Sequence, residues 1–296
     1  MEIVQVPNAV IALVSSILRK GEDDLAQLYA LRTIDNICSQ GTEWTSRFAS
    51  QDAIGHLCYI YKATGKQEST RLIAGSCLAR LSRFSPSCIH LILEKISFKD
   101  IASTLIKGNP REQQISLNIL NSALVNSHTV TSMNRHIHSL SDDKQLVPGL
   151  ISLIEQGTDV LRGKALLFVA LLCKNSRRWL PHFFCNAKLI SAVDRLGKEK
   201  EGFIHKCTEA FVQLVASLVP AILDTVCSDI QQVMTGKRHG PVTALAGRAH
   251  PKSTIYLFPV ILHLLGSASF RHRVMTSHVL LQLANLIKIL EAPFQV

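Results

Sequence analysis

One segment of the chain has residue types close to those of a phosphate-binding loop. Gly157 to Ala165 reads GTDVLRGKA, in which two glycines precede a lysine. A phosphate-binding loop needs four residues between its glycines, then the lysine, and then a hydroxyl that ligates magnesium. Here five residues separate the glycines, and Ala165 stands where the hydroxyl is needed. Since no strand is predicted before the segment and Asp159 suits the first turn of a helix, we predict a helix start rather than a nucleotide site.

Two histidines alternate in the segment RHIH, at His136 and His138. On an extended segment this spacing places two imidazoles on one face, where zinc is held if thiols or carboxylates converge. No such ligands lie nearby in the sequence. We therefore predict a polar loop here, no metal site and no cofactor.

Motifs of nucleophilic or phosphoryl-transfer enzymes are not found in the sequence. It contains no GxSxG elbow and none of the glycine-rich loop, HRD or DFG motifs of protein kinases. Ser82 and Ser85, in RLSRFSP, match simple kinase target patterns, but we expect Ser85 to cap a helix that starts at Pro86. The chain is therefore predicted not to be an enzyme.

The cysteines do not form a redox or metal motif, because none is paired as CxxC. Most lie within apolar helical patterns, which favours buried thiols that act as small hydrophobic residues in a reducing compartment. We therefore expect an intracellular, cytoplasmic protein. The eight cysteines are Cys38, Cys58, Cys77, Cys88, Cys173, Cys185, Cys207 and Cys227.

The elements that must position these residues follow one repeated helical pattern. A small residue is followed by apolar residues four and seven or eight positions later, at intervals of 44, 42, 49, 45 and 67 residues. The long last interval breaks the rhythm. The apolar face of each helix is too wide for one neighbouring helix to cover. Each repeat must therefore pack against the next. The six small residues are Ala30, Ala74, Ser116, Ala165, Ala210 and Ser277.

This period is typical of stacked helix pairs or triplets, as in the armadillo and HEAT repeat families that the helical units resemble. Strand signals are weak, since the β-branched residues fall within helical periods. We predict an all-α fold, a right-handed α-solenoid of about six armadillo/HEAT-type repeats, as a single domain over residues 1–296. The longest purely apolar run, Ala165 to Cys173, is shorter than the roughly 20 residues of a membrane-spanning helix, so no membrane is expected as a partner.

Positive charge is concentrated in the second half of the chain. The net charge of +10 divides into +2 for residues 1–150 and +8 for residues 151–296. Residues 236–252, GKRHGPVTALAGRAHPK, coincide with the long interval and are predicted to form a basic loop insertion. Such a field attracts an acidic partner such as a tubulin tail, nucleic acid or anionic lipid. The predicted partner-binding residues are Lys174, Arg177, Arg178, Lys237, Arg238, Arg248, Lys252, Arg271 and Arg273.

The segment from Thr158 to Arg195, TDVLRGKALLFVALLCKNSRRWLPHFFCNAKLISAVDR, resembles the C-terminal repeat region of RUNKEL-type proteins. These are plant kinase-like relatives of the Fused family, and LRGKA is the most recognisable part of the match. The resemblance implies a microtubule-associated scaffold at the phragmoplast, acting in cytokinesis and cell plate expansion, with the kinase-like domain absent from this chain. No contact motif is carried over, because LRGKA is interpreted as a helix start.

Two classes of function therefore follow. The first is a non-catalytic scaffold that binds microtubules through the basic residues, or a kinesin segment through a groove between repeats. The alternative is a basic adaptor for nucleic acid or transport cargo. The basic third of the chain has few aromatic residues for base stacking, which argues against nucleic-acid binding. Self-association through an uncapped end repeat is a further alternative.

Overall fold

The computed structural model describes residues 8–21, 23–130, 132–200, 202–235 and 253–292, and every regular element within these ranges is helical. The predicted all-α class is thus confirmed. The chain divides into two compact units, Met1–Leu153 and Ile154–Val296, where the sequence predicted one domain.

The first unit is built from helices of unequal length, in which long helices alternate with shorter ones. Short 3₁₀ turns, Ser127–Thr129 and Leu140–Asp142, flank its last helix. The helix that follows, α10 (Leu146–Gln156), contains the boundary between the units. The helices of the first unit are α1 (Asn8–Lys20), α2 (Asp24–Cys38), α3 (Thr42–Phe48), α4 (Gln51–Lys62), α5 (Glu68–Phe84), α6 (Ser87–Lys95), α7 (Phe98–Lys107), α8 (Pro110–Val125) and α9 (Met133–Ser139).

Three long helices form a ladder through the first unit, since α2 packs against α5 and α5 packs against α8. The small residue that heads each predicted stripe, Ala30, Ala74 or Ser116, is buried where these helices meet their neighbours. A side chain of this size lets two helix axes approach closely. The first three predicted repeat positions are therefore confirmed.

The start of α8 shows how local sequence sets a helix boundary. Asn109 accepts hydrogen bonds from the backbone N–H groups of Arg111 and Glu112, each at 3.0 Å. The Glu112 carboxylate accepts in return from the backbone N–H of Asn109, also at 3.0 Å, and Pro110 begins the helix without needing a donor partner. This capping box satisfies backbone N–H groups that the helix itself leaves unpaired.

The expected cap at Ser85 is not formed. Ser85 ends α5, and its hydroxyl lies 3.3 Å from the Ser87 hydroxyl rather than on a backbone N–H group. Pro86 directly precedes the first residue of α6. Pro86 thus lies within one residue of the start of α6, as predicted. The Ser85 side chain, in contrast, contacts the Ser87 hydroxyl and does not cap the helix.

The second unit repeats the ladder with other helices, as α11 packs against α14 and α14 packs against α17. A 3₁₀ turn, Ile255–Leu257, precedes α16. Ala165 is fully buried on α11, which confirms the fourth repeat position. The helices are α11 (Asp159–Asn175), α12 (Trp179–Phe184), α13 (Ala187–Leu196), α14 (Phe203–Ala216), α15 (Val219–Met234), α16 (Phe258–Gly266), α17 (Ala268–Val274) and α18 (Ser277–Glu291).

The fifth repeat position was assigned to the wrong residue. Ala210 is exposed, and the small residue on the buried face of α14 is Thr208, which Phe211 and Val215 follow. Thr208 is only 1% exposed, and its hydroxyl donates to the carbonyl oxygen of Ile204 at 2.8 Å. A threonine that satisfies its hydroxyl within the helix packs as a small apolar residue, which the sequence pattern did not reveal.

The sixth repeat position is also wrong. Ser277 lies in α18, which packs against α15 rather than against the ladder helix α14. The ladder position is taken by the short helix α17, whose Phe270 and Val274 are buried. The sequence ASFRHRV of α17 is too short and too basic to display a helical stripe. The interval of 67 residues therefore includes an additional helix as well as residues 236–252.

A close contact at Gly75 gives a test of the first ladder. A Cβ atom at this position would lie 2.7 Å from Tyr61 Cε2 and 3.1 Å from Ile115 Cδ1, and both side chains are buried. We expect Gly75→Ala to lower the free energy of unfolding by about 1–3 kcal/mol through overpacking. The measurement is urea unfolding followed by circular dichroism.

Gly55 is the matched control, because it also lies inside a helix but an added Cβ atom there would have no neighbouring atom within 4 Å. Gly55→Ala should raise the free energy of unfolding by about 0.5–1 kcal/mol, since alanine favours helix interiors. Equal effects of the two substitutions would contradict the close approach at Gly75.

The start of α17 is held by a carboxylate from α13. Asp194 Oδ1 accepts from the Ser267 hydroxyl at 2.6 Å and from the Ser269 backbone N–H at 2.9 Å. Burial opposes the charged carboxylate, but these hydrogen bonds outweigh it and lower the pKa of Asp194 below its ordinary value of 3.8. The charged form is therefore favoured by folding.

This contact predicts a pH-dependent loss of stability. A carboxylate whose pKa is lower in the folded state stabilises the fold fully above its unfolded pKa, and the contribution disappears as pH falls through the folded pKa. We expect Asp194→Asn to lower the free energy of unfolding by about 1–2 kcal/mol at neutral pH, with a smaller difference near pH 3. Urea unfolding at both pH values measures this. A difference that is independent of pH would rule out the charged cap.

One stretch of the second unit, Phe203–Met234, is long and apolar enough to cross a membrane by length and composition. It consists of α14 and α15, which meet at Ser217 and Leu218, with Pro220 in the first turn of α15. Half of its apolar window is buried against the rest of the unit, as in a core helix. The apolar character is thus accounted for by packing within the repeats.

Candidate functional site

The segment that resembles a phosphate-binding loop is a helix start, as predicted. Thr158 directly precedes α11 in an extended conformation. Arg162 pairs with Asp159 at 3.5 Å and donates to the carbonyl oxygen of Ile154, at the end of α10, at 2.9 Å. Gly163 lies against α14, where an added Cβ atom would be 2.8 Å from Cys207 Sγ. Arg162 and Gly163 therefore have roles in the ion pairing and packing of α11.

His136 and His138 lie in helix α9, so the predicted polar loop is wrong. The nitrogen Nε2 of His136 lies 2.9 Å from the Ser132 hydroxyl, and Nδ1 of His138 lies 3.3 Å from the Ser141 hydroxyl. Residues two apart on a helix point in different directions, so the two rings do not converge. Among the described residues, no group of three or more potential metal ligands occurs.

The cysteines are mostly core residues. Cys38, Cys58, Cys77, Cys88, Cys173 and Cys227 are buried, Cys207 is half-buried, and Cys185 is exposed. Burial raises the pKa of Cys38 and of Cys58 to about 12, which keeps both as neutral thiols at physiological pH. The prediction of buried thiols is thus confirmed for six of the eight, with Cys185 the clear exception.

Three of the predicted partner-binding residues form a surface cluster at the junction of α11 and α12. Lys174 lies in the last turn of α11, Arg177 and Arg178 directly precede α12, and all three are exposed. Arg177 Nη1 lies 3.4 Å from the Thr225 hydroxyl on α15. The sequence contains no acidic residue from Lys174 to Asn186. We call Lys174, Arg177 and Arg178 the junction cluster.

Two further predicted residues, Arg271 and Arg273, have partners within the second unit. Arg271 donates to the carbonyl oxygens of Leu265 at 2.9 Å and Gly266 at 3.2 Å, which end α16. Arg273 donates to Gln213 Oε1 and lies 3.8 Å from the Glu209 carboxylate. Both side chains therefore help hold α16, α17 and α14 in place. Substituting them would change packing as well as surface charge.

The other four predicted residues lie outside the described part of the chain, as does the predicted basic loop over residues 236–252. They are Lys237, Arg238, Arg248 and Lys252. Their positions remain predictions from the sequence.

The ladder helices of the second unit also carry exposed apolar side chains. Val160 and Leu167 lie on α11, and Phe203 lies on α14, 53% exposed. Phe203 contacts the backbone of α11 near Gly163, since its Cε1 atom would be 3.1 Å from an added Cβ atom there. Lys206 is exposed one turn along α14. An apolar patch beside a lysine suits a peptide with an apolar anchor.

A second concentration of positive charge, in the first unit, was missed by the sequence analysis. Its lysines and arginines come from the ends of α1, α4 and α6, which are far apart in the sequence. The charge of +2 for residues 1–150 concealed it, because acidic residues on other surfaces balance the count. Only the folded arrangement brings these cations together.

Comparison with known proteins identifies relatives of the chain. Residues 222–296 match a family model described as "Serine/threonine-protein kinase ULK4-like, HEAT repeats". The chain is 63% identical over 291 residues, 98% of its length, to Serine/threonine-protein kinase RUNKEL of Arabidopsis thaliana. It is 24% identical over 291 residues, 95% of its length, to Serine/threonine-protein kinase ULK4 of Mus musculus. In both cases it spans only 21% of the relative's length.

Solved structures with a similar fold are armadillo repeat proteins. The designed armadillo repeat protein YIII(Dq)4CqI superposes with a TM-score of 0.57 at 12% identity, covering 95% of this chain and 99% of that one. Another, YIII(Dq.V1)4CPAF in complex with peptide (KR)4, has a TM-score of 0.56 at 12% identity and covers 94% and 98% of the two chains. The predicted armadillo/HEAT-type repeat fold and the predicted resemblance are therefore confirmed: over 98% of its residues the chain is similar to a helical-repeat region of RUNKEL, a ULK4-like kinase relative.

Proposed function

We propose that this chain is a non-catalytic helical-repeat scaffold that binds microtubules and supports their organisation at the phragmoplast during cell plate expansion in plant cytokinesis. The observation that carries the proposal is the exposed junction cluster, three cations within five residues and no acidic residue through Asn186. Tubulin presents acidic tails, and a surface of this sign attracts them. The proposed localisation is accordingly cytoplasmic and cytoskeleton-associated.

The proposal also includes a phragmoplast kinesin as partner. The patch of Val160, Leu167 and Phe203 supports this version, because exposed apolar side chains on neighbouring ladder helices can anchor a helix or an extended peptide. The designed neighbour in complex with peptide (KR)4 is a protein of similar fold that holds a peptide. Apolar anchoring predicts binding that depends weakly on salt.

Co-sedimentation of the chain with taxol-stabilised microtubules across a salt series tests the microtubule version. We expect binding at low salt that falls steeply as ionic strength rises to about 0.15 M, because the contacts are between exposed charges. Failure to sediment at low salt would overturn this version. A parallel pull-down with kinesin tail fragments, without tubulin, tests the second version, for which binding should persist in moderate salt.

The alternative is an adaptor that binds nucleic acid or transport cargo, since phosphate groups are attracted by the same cations. In the basic third of the chain, Tyr256 is a half-exposed aromatic ring, whereas Phe258 and Phe270 lie in helices α16 and α17 and Phe270 is buried. Single-strand binders usually stack several bases on exposed rings. Binding to single-stranded RNA that is tighter than binding to microtubules at equal salt would favour this alternative.

Self-association through an end repeat is supported by one surface. Helix α18 exposes Leu280, Leu281 and Ile287, and two helical turns separate Leu280 from Ile287 on the same face. Apolar side chains in such an arrangement are often covered by another helix. Light scattering of the chain over a concentration series tests whether a second copy provides that cover.

A further inference from the structure

The first unit contains an open groove of about 1100 Å³ between α1 and α4, and the last residue of α6 also lines it. This α1–α4 groove is larger than most small-molecule sites, which occupy about 300–1000 Å³. Most of its lining comes from α1 and α4, and the ladder helix α2 contributes Gln27. Its lining residues include Arg19, Lys20, Gln27, Asp52, Tyr59, Lys62, Lys66 and Lys95.

Among the residues that the structure describes, five lysines and arginines and one carboxylate line the groove. Arg19 and Lys20 end α1, Lys62 ends α4 and Lys95 ends α6, with Lys66 in the loop after α4. Lys62 Nζ donates to the Lys95 carbonyl oxygen at 3.3 Å. Three helix C-termini carry about half a negative charge each and offset part of this charge.

A positive surplus remains after the nearby acidic groups are included. Lys66 is paired with the Asp24 carboxylate, which leaves the other four lysine and arginine side chains of the groove. Among the described residues of the lining, the carboxylate is that of Asp52, which also lies 3.7 Å from His56 Nδ1. An occupant with several negative charges is therefore favoured.

A buried amide in the groove lacks a hydrogen-bond partner. Gln27 is only 3% exposed, and its Oε1 atom has no partner among the described residues. Gly21, with a φ of +61°, ends α1 directly over this side chain, where an added Cβ atom would lie 3.6 Å from Gln27 Nε2. An unsatisfied buried polar group destabilises the empty groove, so a ligand that pairs with the amide gains from binding there.

The amide selects among anionic ligands. A phosphodiester group has no donor to offer an oxygen acceptor, whereas a peptide backbone presents N–H and C=O groups side by side and satisfies an amide in either orientation. Tyr59, 73% exposed at the rim, and the buried Leu18 and Ile60 beneath provide apolar contact for one side chain. We propose that the α1–α4 groove binds an acidic peptide segment of a partner protein, with carboxylates on Arg19, Lys20 and Lys95 and a backbone group on Gln27.

Fluorescence anisotropy with the full chain tests this without tubulin. The probe is a fluorescein-labelled peptide of glutamates around one central phenylalanine, and the comparison probes are its lysine counterpart and a single-stranded DNA of equal charge. We expect saturable binding of the acidic peptide that weakens about tenfold in the double variant Arg19→Glu/Lys95→Glu. The matched variant Lys99→Glu/Lys107→Glu changes the charge equally on α7, outside the groove, and should bind as the unaltered chain does.

Gln27→Met separates binding from folding, because methionine has a similar volume and no polar demand. We expect weaker peptide binding together with an unchanged or higher melting temperature. Equal loss in both double variants, tighter binding of the DNA, or unchanged binding by Gln27→Met would overturn the proposal. Glutamate at Lys174 and Arg178 should leave peptide binding unchanged, so failure of the microtubule proposal and failure of this one are distinguishable.

Discussion

Replacing Phe270 with alanine should lower the free energy of unfolding by about 3–5 kcal/mol. Phe270 is fully buried on α17, and its ring centroid lies 5.8 Å from that of Phe184 and 6.1 Å from that of Phe211. Both contacts are edge-on, a favourable arrangement for aromatic rings. The three rings join α12, α14 and α17, so alanine would leave a cavity bounded by three helices. Urea unfolding monitored by circular dichroism measures the loss.

The matched control for this prediction is Leu281→Ala in α18. If α18 were the sixth ladder helix, as the sequence pattern indicated, Leu281 would be a core residue and its loss would cost about 2–5 kcal/mol. In the structure Leu281 is 61% exposed, so we expect a change of about 0.5 kcal/mol or less. Phe270→Leu, which keeps most of the volume, should cost about 1.5 kcal/mol or less. A larger effect of Leu281→Ala than of Phe270→Ala would contradict the assignment of α17 to the ladder.

The repeat fold could be predicted from the sequence where each repeat has an ordinary apolar stripe. Ala30, Ala74, Ser116 and Ala165 head such stripes, and all four are buried. The prediction depended on spacing alone, because a small residue followed by apolar residues at helical intervals indicates a helix with one buried face. The prediction failed at α14, where the buried small residue is a threonine whose hydroxyl is paired within the helix. It also failed at α17, a short basic helix whose Phe270 packs against other aromatic rings.

The candidate sites were less predictable, because charge along a sequence is not charge on a surface. Lys174, Arg177 and Arg178 are adjacent in the chain and remain adjacent when folded. Arg271 was assigned to binding from its charge, yet its guanidinium holds the carbonyl oxygens that end α16. Conversely, Arg19 and Lys95 are distant in sequence and meet in one groove. Only the packing of α1, α4 and α6 could place them together.

Charge reversal at four basic residues of the second half of the chain should weaken microtubule binding at least tenfold in about 0.1 M salt. The variant carries glutamate at Lys174, Arg178, Lys237 and Arg238. It changes the surface charge by two units at each position and leaves Arg271 and Arg273 in place, because those side chains hold helix ends and Gln213. Co-sedimentation with microtubules, at equal protein concentration, measures the change.

A second variant with the same change in charge tests whether microtubules bind one particular surface or are attracted by the net charge of the chain. It carries glutamate at Lys99, Lys107, Arg111 and Lys144, which are exposed in the first unit and outside the α1–α4 groove. If the basic residues of the second unit contact tubulin, this variant should retain most of its binding, since exposed charges farther from the contact than the Debye length, about 10 Å at 0.1 M salt, are largely screened. Equal losses in the two variants would mean that net charge alone draws the chain to microtubules. In that case the kinesin version would become the stronger proposal, because Val160, Leu167 and Phe203 offer an apolar contact that neither variant changes.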